Sequence, residues 1–151
     1  MSTASTSAAS TSSAARKLSD PAYGAYRILH LGFIVLPILM GLDKFVGLLT
    51  DWPGYLAPWI VELSPFSAQT AMYVVGVVEI VAGVAVALKP RFAAYIVAAW
   101  LAGIIINLLS YSGFYDVALR DFGLLIAAIA LARLAAYYDR AASRANPATN
   151  R

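Results

Sequence analysis

The feature that most constrains this chain is a stretch with no charged side chain, which runs from Phe92 to Tyr115. A helix needs about 20 consecutive apolar residues to cross the hydrocarbon core of a bilayer. Four segments approach this length, at about 28–49, 68–88, 92–112 and 117–138. The fourth is the weakest, because its uncharged part covers only 122–132. The pattern predicts an all-α integral membrane protein, a bundle of four spanning helices.

Composition excludes several other classes of protein. Hydrophobic residues make up 61% of the chain and charged residues only 13%, whereas soluble domains are about 45–50% apolar and about 25% charged. We therefore exclude a water-soluble domain, a disordered protein and a nucleic-acid binder, although the net charge is +3. With no cysteine and one histidine, His30, we predict no metal site, no disulfide and no thiol chemistry. We expect His30 to be a hydrogen-bonding residue near a membrane interface.

Three parts are predicted along the chain. Residues 1–19 are rich in Ser, Thr and Ala, and we expect a disordered tail there because such a segment cannot bury a core. Residues 20–138 form the transmembrane domain. It opens with Asp20 and Pro21, a capping acid followed by a proline suited to the first helical position. Residues 139–151 are predicted to be a polar, basic tail.

The connection between the first two spans, residues 50–66, has its own pattern. Three prolines in it forbid one long helix. Trp52, Tyr55 and Trp59 recur at spacings of three and four, which places them on one face of a short helix. Because Trp and Tyr favour the headgroup region, we predict a short interfacial helix with these three residues at the membrane interface.

The basic residues predict the orientation. Only Lys44 and Arg120 of the eleven Lys and Arg residues fall on one side of the predicted bundle. The others flank the two chain ends or lie in the turn at 89–91. Since basic residues accumulate on the cytoplasmic side, we expect both termini in the cytoplasm of a bacterium and the chain as a multi-pass protein of its inner membrane.

Polar side chains within or near the spans predict a site. They are Asp43, Lys44, Glu79, Asn107, Arg120 and Asp121. Intramembrane carboxylates face the bundle interior and find partners there, so we expect one polar cluster. Lys44 and Arg120 can neutralise two of the three acids. We expect Glu79 to be the excess acid, with its charged form disfavoured by burial. Pairing of Glu79 with Lys44 is the competing state. The alternative is that Asp43–Lys44 and Arg120–Asp121 are ion pairs with a structural role only.

Several of these motifs resemble the DoxX-like family of small bacterial membrane proteins. They are a first helix ending in GLDKF, a second helix GVVEIVAGVAVAL followed by a KPR turn, and a last helix opening RDFGLLIAAIALARL. The resemblance covers about residues 22–138. It implies a role in membrane redox or quinone-linked assemblies, with Asp43, Lys44, Glu79 and Asp121 at the family's polar positions.

We therefore expect an accessory subunit of a membrane oxidoreductase assembly that has no catalytic activity alone. Its polar cluster would contribute to a pocket for a quinone or another small molecule, and no cofactor would be bound covalently. Its partners would be the lipid bilayer and other membrane subunits or further copies of the chain. The alternatives are a small oligomeric proton-coupled transporter, favoured by Glu79 in mid-membrane, and a purely structural scaffold.

Overall fold

A computed structural model describes residues 20–145, with side chains through residue 142. Within this range the chain is helical with no strand, which confirms the predicted all-α class. The elements are α1 (Pro21–Val46), a short 3-10 helix (Trp52–Tyr55), α2 (Pro58–Leu63), α3 (Ala68–Leu88), α4 (Pro90–Leu109) and α5 (Tyr115–Ala145). The predicted tail at 1–19 lies outside the described residues.

The helix ends follow from local sequence. Asp20 accepts a hydrogen bond from the amide of Ala22 at 3.0 Å and so caps α1, with Pro21 in its first turn. Gly47 ends α1 in the left-handed conformation, φ 70°, which glycine adopts without steric cost. Ser67 caps α3 by accepting from the amide of Thr70 at 3.2 Å. The predicted start of α1 and the predicted bounds of α3 are confirmed.

Four long helices surround one apolar core. Helix α1 packs along α3 and α4 along α5, while α1 also contacts α5 and α3 contacts α4. Residues from all four helices meet in the core, among them Phe33, Val86, Val97 and Leu131. We call residues 47–67, between α1 and α3, the strap. The strap end of the fold holds the end of α1 and the start of α3, and the termini end holds the start of α1 and the end of α5.

Glycines set the separation of α1 and α3. A Cβ atom on Gly41 would lie 2.5 Å from the carbonyl oxygen of Gly76, and one on Gly76 would lie 2.7 Å from that of Gly41. About two turns further along α3, a Cβ atom on Gly83 would lie 2.6 Å from the side chain of Ile38. Real Cβ atoms do not come this close, so the two backbones touch only because these positions lack side chains. Small residues at a helix contact have this effect in membrane proteins.

Three of the described helices, α1, α3 and α4, are long and apolar enough to cross a membrane. In the most apolar window of α1, only 11% of the residues are buried inside the fold. Large apolar side chains such as Ile28, Val81 and Ile96 are well exposed. Extended apolar surfaces of this kind need a nonaqueous environment, so the chain is a membrane protein.

The strap differs from the single short helix that we predicted. It contains two helical pieces, the 3-10 helix and α2, separated at Leu56 and Ala57. Each piece begins with a proline in its first turn, Pro53 or Pro58. Proline cannot donate a backbone hydrogen bond to the preceding turn, so the second proline starts a new helix instead of continuing the first.

The C-terminal boundary also differs. We predicted that the last span ends near residue 138, but α5 continues to Ala145, into the segment predicted to be a polar, basic tail. The prediction followed the apolar pattern, which stops near the two tyrosines at 137 and 138. A helix can continue beyond that pattern, because its backbone hydrogen bonds need only residues that tolerate helical geometry. Ala141 and Ala142 are among the best helix formers, and the helix continues through them.

Candidate functional site

The centre of the candidate site is an ion pair between two helices. Lys44, in the last turn of α1, places its Nζ atom 2.6 Å from Oε2 of Glu79 on α3. The side chains are only 4% and 14% exposed. This pairing of Glu79 with Lys44 is the competing state that we predicted from the sequence. Lys44 does not form an ion pair with Asp43, its other predicted partner. The close approach of α1 and α3 at Gly41 and Gly76 brings the two charges together.

The indole of Trp52 covers this pair from the strap. Nζ of Lys44 lies 3.9 Å from the centroid of the Trp52 ring, within the range of a cation–π contact. The indole N–H donates to Oδ2 of Asp43 at 2.8 Å. Trp52 is buried in the fold, with 9% of its surface exposed, whereas Trp59 is 46% exposed. Their place at the membrane interface stays a prediction.

Asp43 organises the turn that follows α1. Its carboxylate accepts from the amides of Leu48 at 3.0 Å and Leu49 at 3.1 Å, in addition to the indole of Trp52. A helix that ends leaves amides and carbonyls without helical partners, and here the carboxylate supplies acceptors to the segment beyond the helix. Asp43 is therefore occupied with neighbours in its own segment.

Asp121 lies on the far side of the pair, on α5. It is half-buried and close enough to Glu79 and Lys44 for its charge to act on both. Within the described residues it has no hydrogen bond or ion pair. Arg120, which we expected to neutralise it, instead contacts Asp116 at 3.2 Å on the exposed surface of α5. Arg120 and Asp121 are adjacent in sequence, so they point to different faces of the helix. Asp116 and Arg120 are four residues apart, so they lie on the same face.

Asn107 binds the strap rather than the polar pair. Its side chain accepts from the amide of Ala57 at 2.9 Å and donates to the carbonyl of Tyr55 at 2.7 Å. Two further bonds attach the strap to the end of α4. Trp59 donates to Ser110 at 2.8 Å, and Tyr111 donates to the carbonyl of Gly54 at 3.2 Å. Ala57 is fully buried, so Asn107 satisfies backbone groups that would otherwise be costly to bury.

A cavity of about 370 Å³ opens beside the ion pair at the strap end. It lies between the end of α1, the strap and the start of α3. Its lining is mixed, with Lys44, Phe45, Thr50, Trp52, Gln69 and Tyr73 among the contributors. The rings of Phe45 and Tyr73 are stacked, with centroids 5.2 Å apart and planes within 4°.

The structure thus brings four of the predicted polar residues together: Asp43, Lys44, Glu79 and Asp121. Asn107 and Arg120 have partners elsewhere. Sequence reasoning missed Gln69 and Tyr73, which line the cavity. A glutamine in the first turn of a spanning helix was the available signal, but periodicity alone does not say which face it occupies.

Within residues 20–145, no three His, Asp or Glu side chains come together in an arrangement that could hold a metal ion. Comparison of the chain with protein-family models, curated proteins and solved structures gave no match.

Proposed function

We propose that this chain is an accessory subunit of a membrane oxidoreductase assembly and that its cavity takes the headgroup of a quinone. The observation that carries the proposal is the cavity beside the buried Lys44–Glu79 pair. The chain supplies no redox cofactor of its own in this proposal. Electrons would come from another subunit, and the resemblance to the DoxX-like family is consistent with that role.

The proposal includes a topology. Helix α5 is the fourth span, the termini end faces the cytoplasm of a bacterium, and the strap faces outward across its inner membrane. The support is the charge distribution, because Arg27, Lys89 and Arg91 lie at the termini end and basic residues favour the cytoplasmic side. The chain lacks cysteine, so single cysteines introduced at Ser112 and Lys89 can report the two sides. An impermeant maleimide added to intact spheroplasts should label Ser112→Cys but not Lys89→Cys.

The cavity has the chemistry that a quinone ring needs. A quinone is a flat ring with two carbonyl acceptors, so it requires aromatic or apolar contacts and hydrogen-bond donors. Trp52, Phe45 and Tyr73 offer ring surfaces, while Lys44 and Gln69 offer N–H donors. An ammonium has three N–H groups, and only one is needed for Glu79. Exposed apolar side chains on α1 and α3 would accompany the isoprenoid tail into the bilayer.

The ion pair supplies a way to couple binding to a proton. If a ligand carbonyl accepts a hydrogen bond from Lys44, the attraction between Lys44 and Glu79 weakens. Asp121 already places a second negative charge near Glu79, and two close carboxylates disfavour full ionisation of both. Quinone binding would thereby favour proton uptake by Glu79. Because Lys44 lines the cavity and Glu79 does not, that proton would reach a reduced ring through Lys44.

Fluorescence quenching tests the binding site. The chain has three tryptophans, and the variant Trp59→Phe/Trp100→Phe leaves Trp52 as the reporter. Decylubiquinone should quench it saturably in the full chain reconstituted in lipid. Lys44→Gln should raise the half-saturating concentration about tenfold or more, since a hydrogen bond from a charged group contributes about 1.5–3 kcal/mol.

The matched control is Lys89→Gln, which removes a lysine at the opposite end of the fold and should leave quenching unchanged. Quenching that is linear in quinone and equal in all variants would reject the quinone site. Native purification in mild detergent gives a second test, because mass spectrometry should find quinone and partner subunits with the chain. An isolated chain without quinone would contradict the proposal.

A proton-coupled transporter is the second candidate. The observation in its favour is a buried cation, Lys44, within range of two carboxylates on different helices, Glu79 and Asp121. Protonation of one carboxylate would change which acid the lysine binds, as carriers of protons require. Proteoliposomes should then conduct a proton flux that Glu79→Gln abolishes. Absence of both flux and quinone binding would leave the scaffold function.

A further inference from the structure

Aromatic side chains form a cluster at the termini end that the proposed function does not use. The ring centroids of Tyr23 and Tyr138 lie 5.1 Å apart, and those of Tyr26 and Tyr138 lie 5.4 Å apart. Tyr26 also stacks on His30 at 5.5 Å, with planes within 16°. Tyr137, which is well exposed, contacts Tyr138 at 5.1 Å. The rings therefore form a continuous path from the surface into the helix bundle.

One phenol in this cluster has a carboxylate as its hydrogen-bond acceptor. The hydroxyl of Tyr138 donates to Oδ2 of Asp20 at 2.9 Å. The other oxygen of Asp20 accepts from the amide of Ala22 at the start of α1. Asp20 is thus held in place by the helix that it caps. The helix N-terminus favours its negative charge.

This arrangement suits a particular reaction of phenols. A tyrosine that loses an electron becomes a strong acid, so its oxidation is easy only when the phenolic proton has a base to go to. A hydrogen-bonded carboxylate is such a base and is within proton-transfer distance here. A tyrosine that only anchors a helix at the membrane interface needs a solvated hydroxyl and an apolar ring. It needs neither a carboxylate acceptor nor a series of ring contacts.

We propose that Tyr138 and Asp20 form a site for one-electron oxidation at the membrane surface, with lipid peroxyl radicals as the oxidant class. Tyr138 gives one electron to the peroxyl radical, and its phenolic proton passes to Asp20. The peroxide anion so formed takes that proton from Asp20, which yields a lipid hydroperoxide and a neutral phenoxyl radical on Tyr138. The net change is the transfer of one hydrogen atom from the phenol to the peroxyl radical.

The neighbouring rings extend the site. Tyr23 and Tyr26 lie in direct contact with Tyr138, so their rings pack against the phenol that carries the radical. His30, fixed by a 2.9 Å hydrogen bond between its Nε2 and the carbonyl of Val86, holds Tyr26 in its stacked position. This inference does not depend on the quinone site, since the two sites lie at opposite ends of the fold.

Flash photolysis tests the inference on the full chain in lipid nanodiscs. Tris(bipyridine)ruthenium(III), generated by a light flash, serves as a one-electron oxidant in place of the peroxyl radical. The wild-type chain should form the tyrosyl absorption band, and Tyr138→Phe should lose most of the fast phase. Asp20→Asn should slow it about tenfold or more, because a positioned base typically contributes at least about a hundredfold in proton transfer. Asn caps a helix about as well as Asp, so α1 should still begin normally.

Two control variants distinguish proton acceptance from other effects. Tyr115→Phe removes an exposed tyrosine of α5 that has no ring contact among the described residues, and it should leave the fast phase unchanged. Asp139→Asn removes another carboxylate whose charge acts on Tyr26, and it should have a much smaller effect than Asp20→Asn. Equal slowing by both aspartate variants would overturn the role of Asp20 as proton acceptor. A wild-type fast phase in Tyr138→Phe would overturn the site itself.

Discussion

Asp43 and Glu79 are both buried acids near Lys44, but they are held in different ways. Asp43 accepts three hydrogen bonds, all from residues within nine positions along the chain. Glu79 has one partner among the described residues, and that partner comes from another helix. The first acid completes a turn, and most of its acceptor sites are already occupied. The second is held by a single exchangeable contact, so it is the acid suited to chemistry.

The largest expected effect comes from breaking the Lys44–Glu79 pair. Lys44→Met should lower the free energy of unfolding by about 3–5 kcal/mol, since it leaves a buried carboxylate without its cation. The double variant Lys44→Met/Glu79→Leu should recover most of that loss, because an apolar pair can replace a buried ion pair. Unfolding in mixed detergent micelles measures both. Additive losses in the double variant would mean that the two residues do not depend on each other.

Changing Asp43 should have a smaller and more local effect. In Asp43→Asn, the amide nitrogen faces at least one N–H donor whichever way the side chain is turned, so the turn after α1 loosens. We expect the emission of Trp52, measured with Trp59 and Trp100 replaced by Phe, to shift to longer wavelength as water reaches the indole. Unchanged emission would show that the carboxylate does not hold the strap.

The Lys44–Glu79 pair depends on the contact between α1 and α3. Gly76→Ala places a methyl group 2.7 Å from the carbonyl of Gly41 and should cost about 1–3 kcal/mol, the usual penalty of overpacking. Gly103→Ala is the matched control, because a Cβ there meets nothing within 4 Å. It should be neutral or stabilising by up to about 1 kcal/mol, since alanine favours helix. Equal thermal stability of the two variants would contradict the close contact.

The attachment of the strap to α4 should contribute about as much as the glycine contact. Asn107→Leu should cost about 1–3 kcal/mol, because it leaves the buried amide of Ala57 unpaired. Ser110→Ala removes two exposed bonds, the one from Trp59 and the one that the Ser110 hydroxyl donates to the carbonyl of Asn107, and should change stability by no more than about 0.5 kcal/mol. Hydrogen exchange at the Ala57 amide measures the difference directly. If the Ala57 amide stays protected from hydrogen exchange in Asn107→Leu, contacts other than those of Asn107 hold the strap against α4.

Helix existence could be predicted well and side-chain pairing could not. The capped start of α1 at Asp20 and the bounds of α3 follow from short-range rules and are confirmed. Arg120 shows the limit of those rules. Its adjacent acid is Asp121, yet it pairs with Asp116 one turn away, because the rotation of α5 against its neighbours decides which side chains face inward.

The candidate site shows the same division. That Asp43, Lys44, Glu79 and Asp121 lie near one another could be expected, because charges within apolar helices avoid lipid. That Trp52 covers the pair and Asn107 binds the strap could not be expected. Those contacts depend on the positions of backbone groups in the strap. The strap is irregular, so its sequence has no periodic pattern from which those positions can be predicted.

The sequence by itself determined that the chain is helical and built for a membrane, because helix length and apolar composition are local properties that a bilayer selects directly. Only the tertiary structure decided which acid accepts three hydrogen bonds and which is held by a single partner. That choice depends on how close α1 and α3 approach at Gly41 and Gly76, and on the path of the strap across their ends. Distances between segments far apart in the chain set the chemistry of this site.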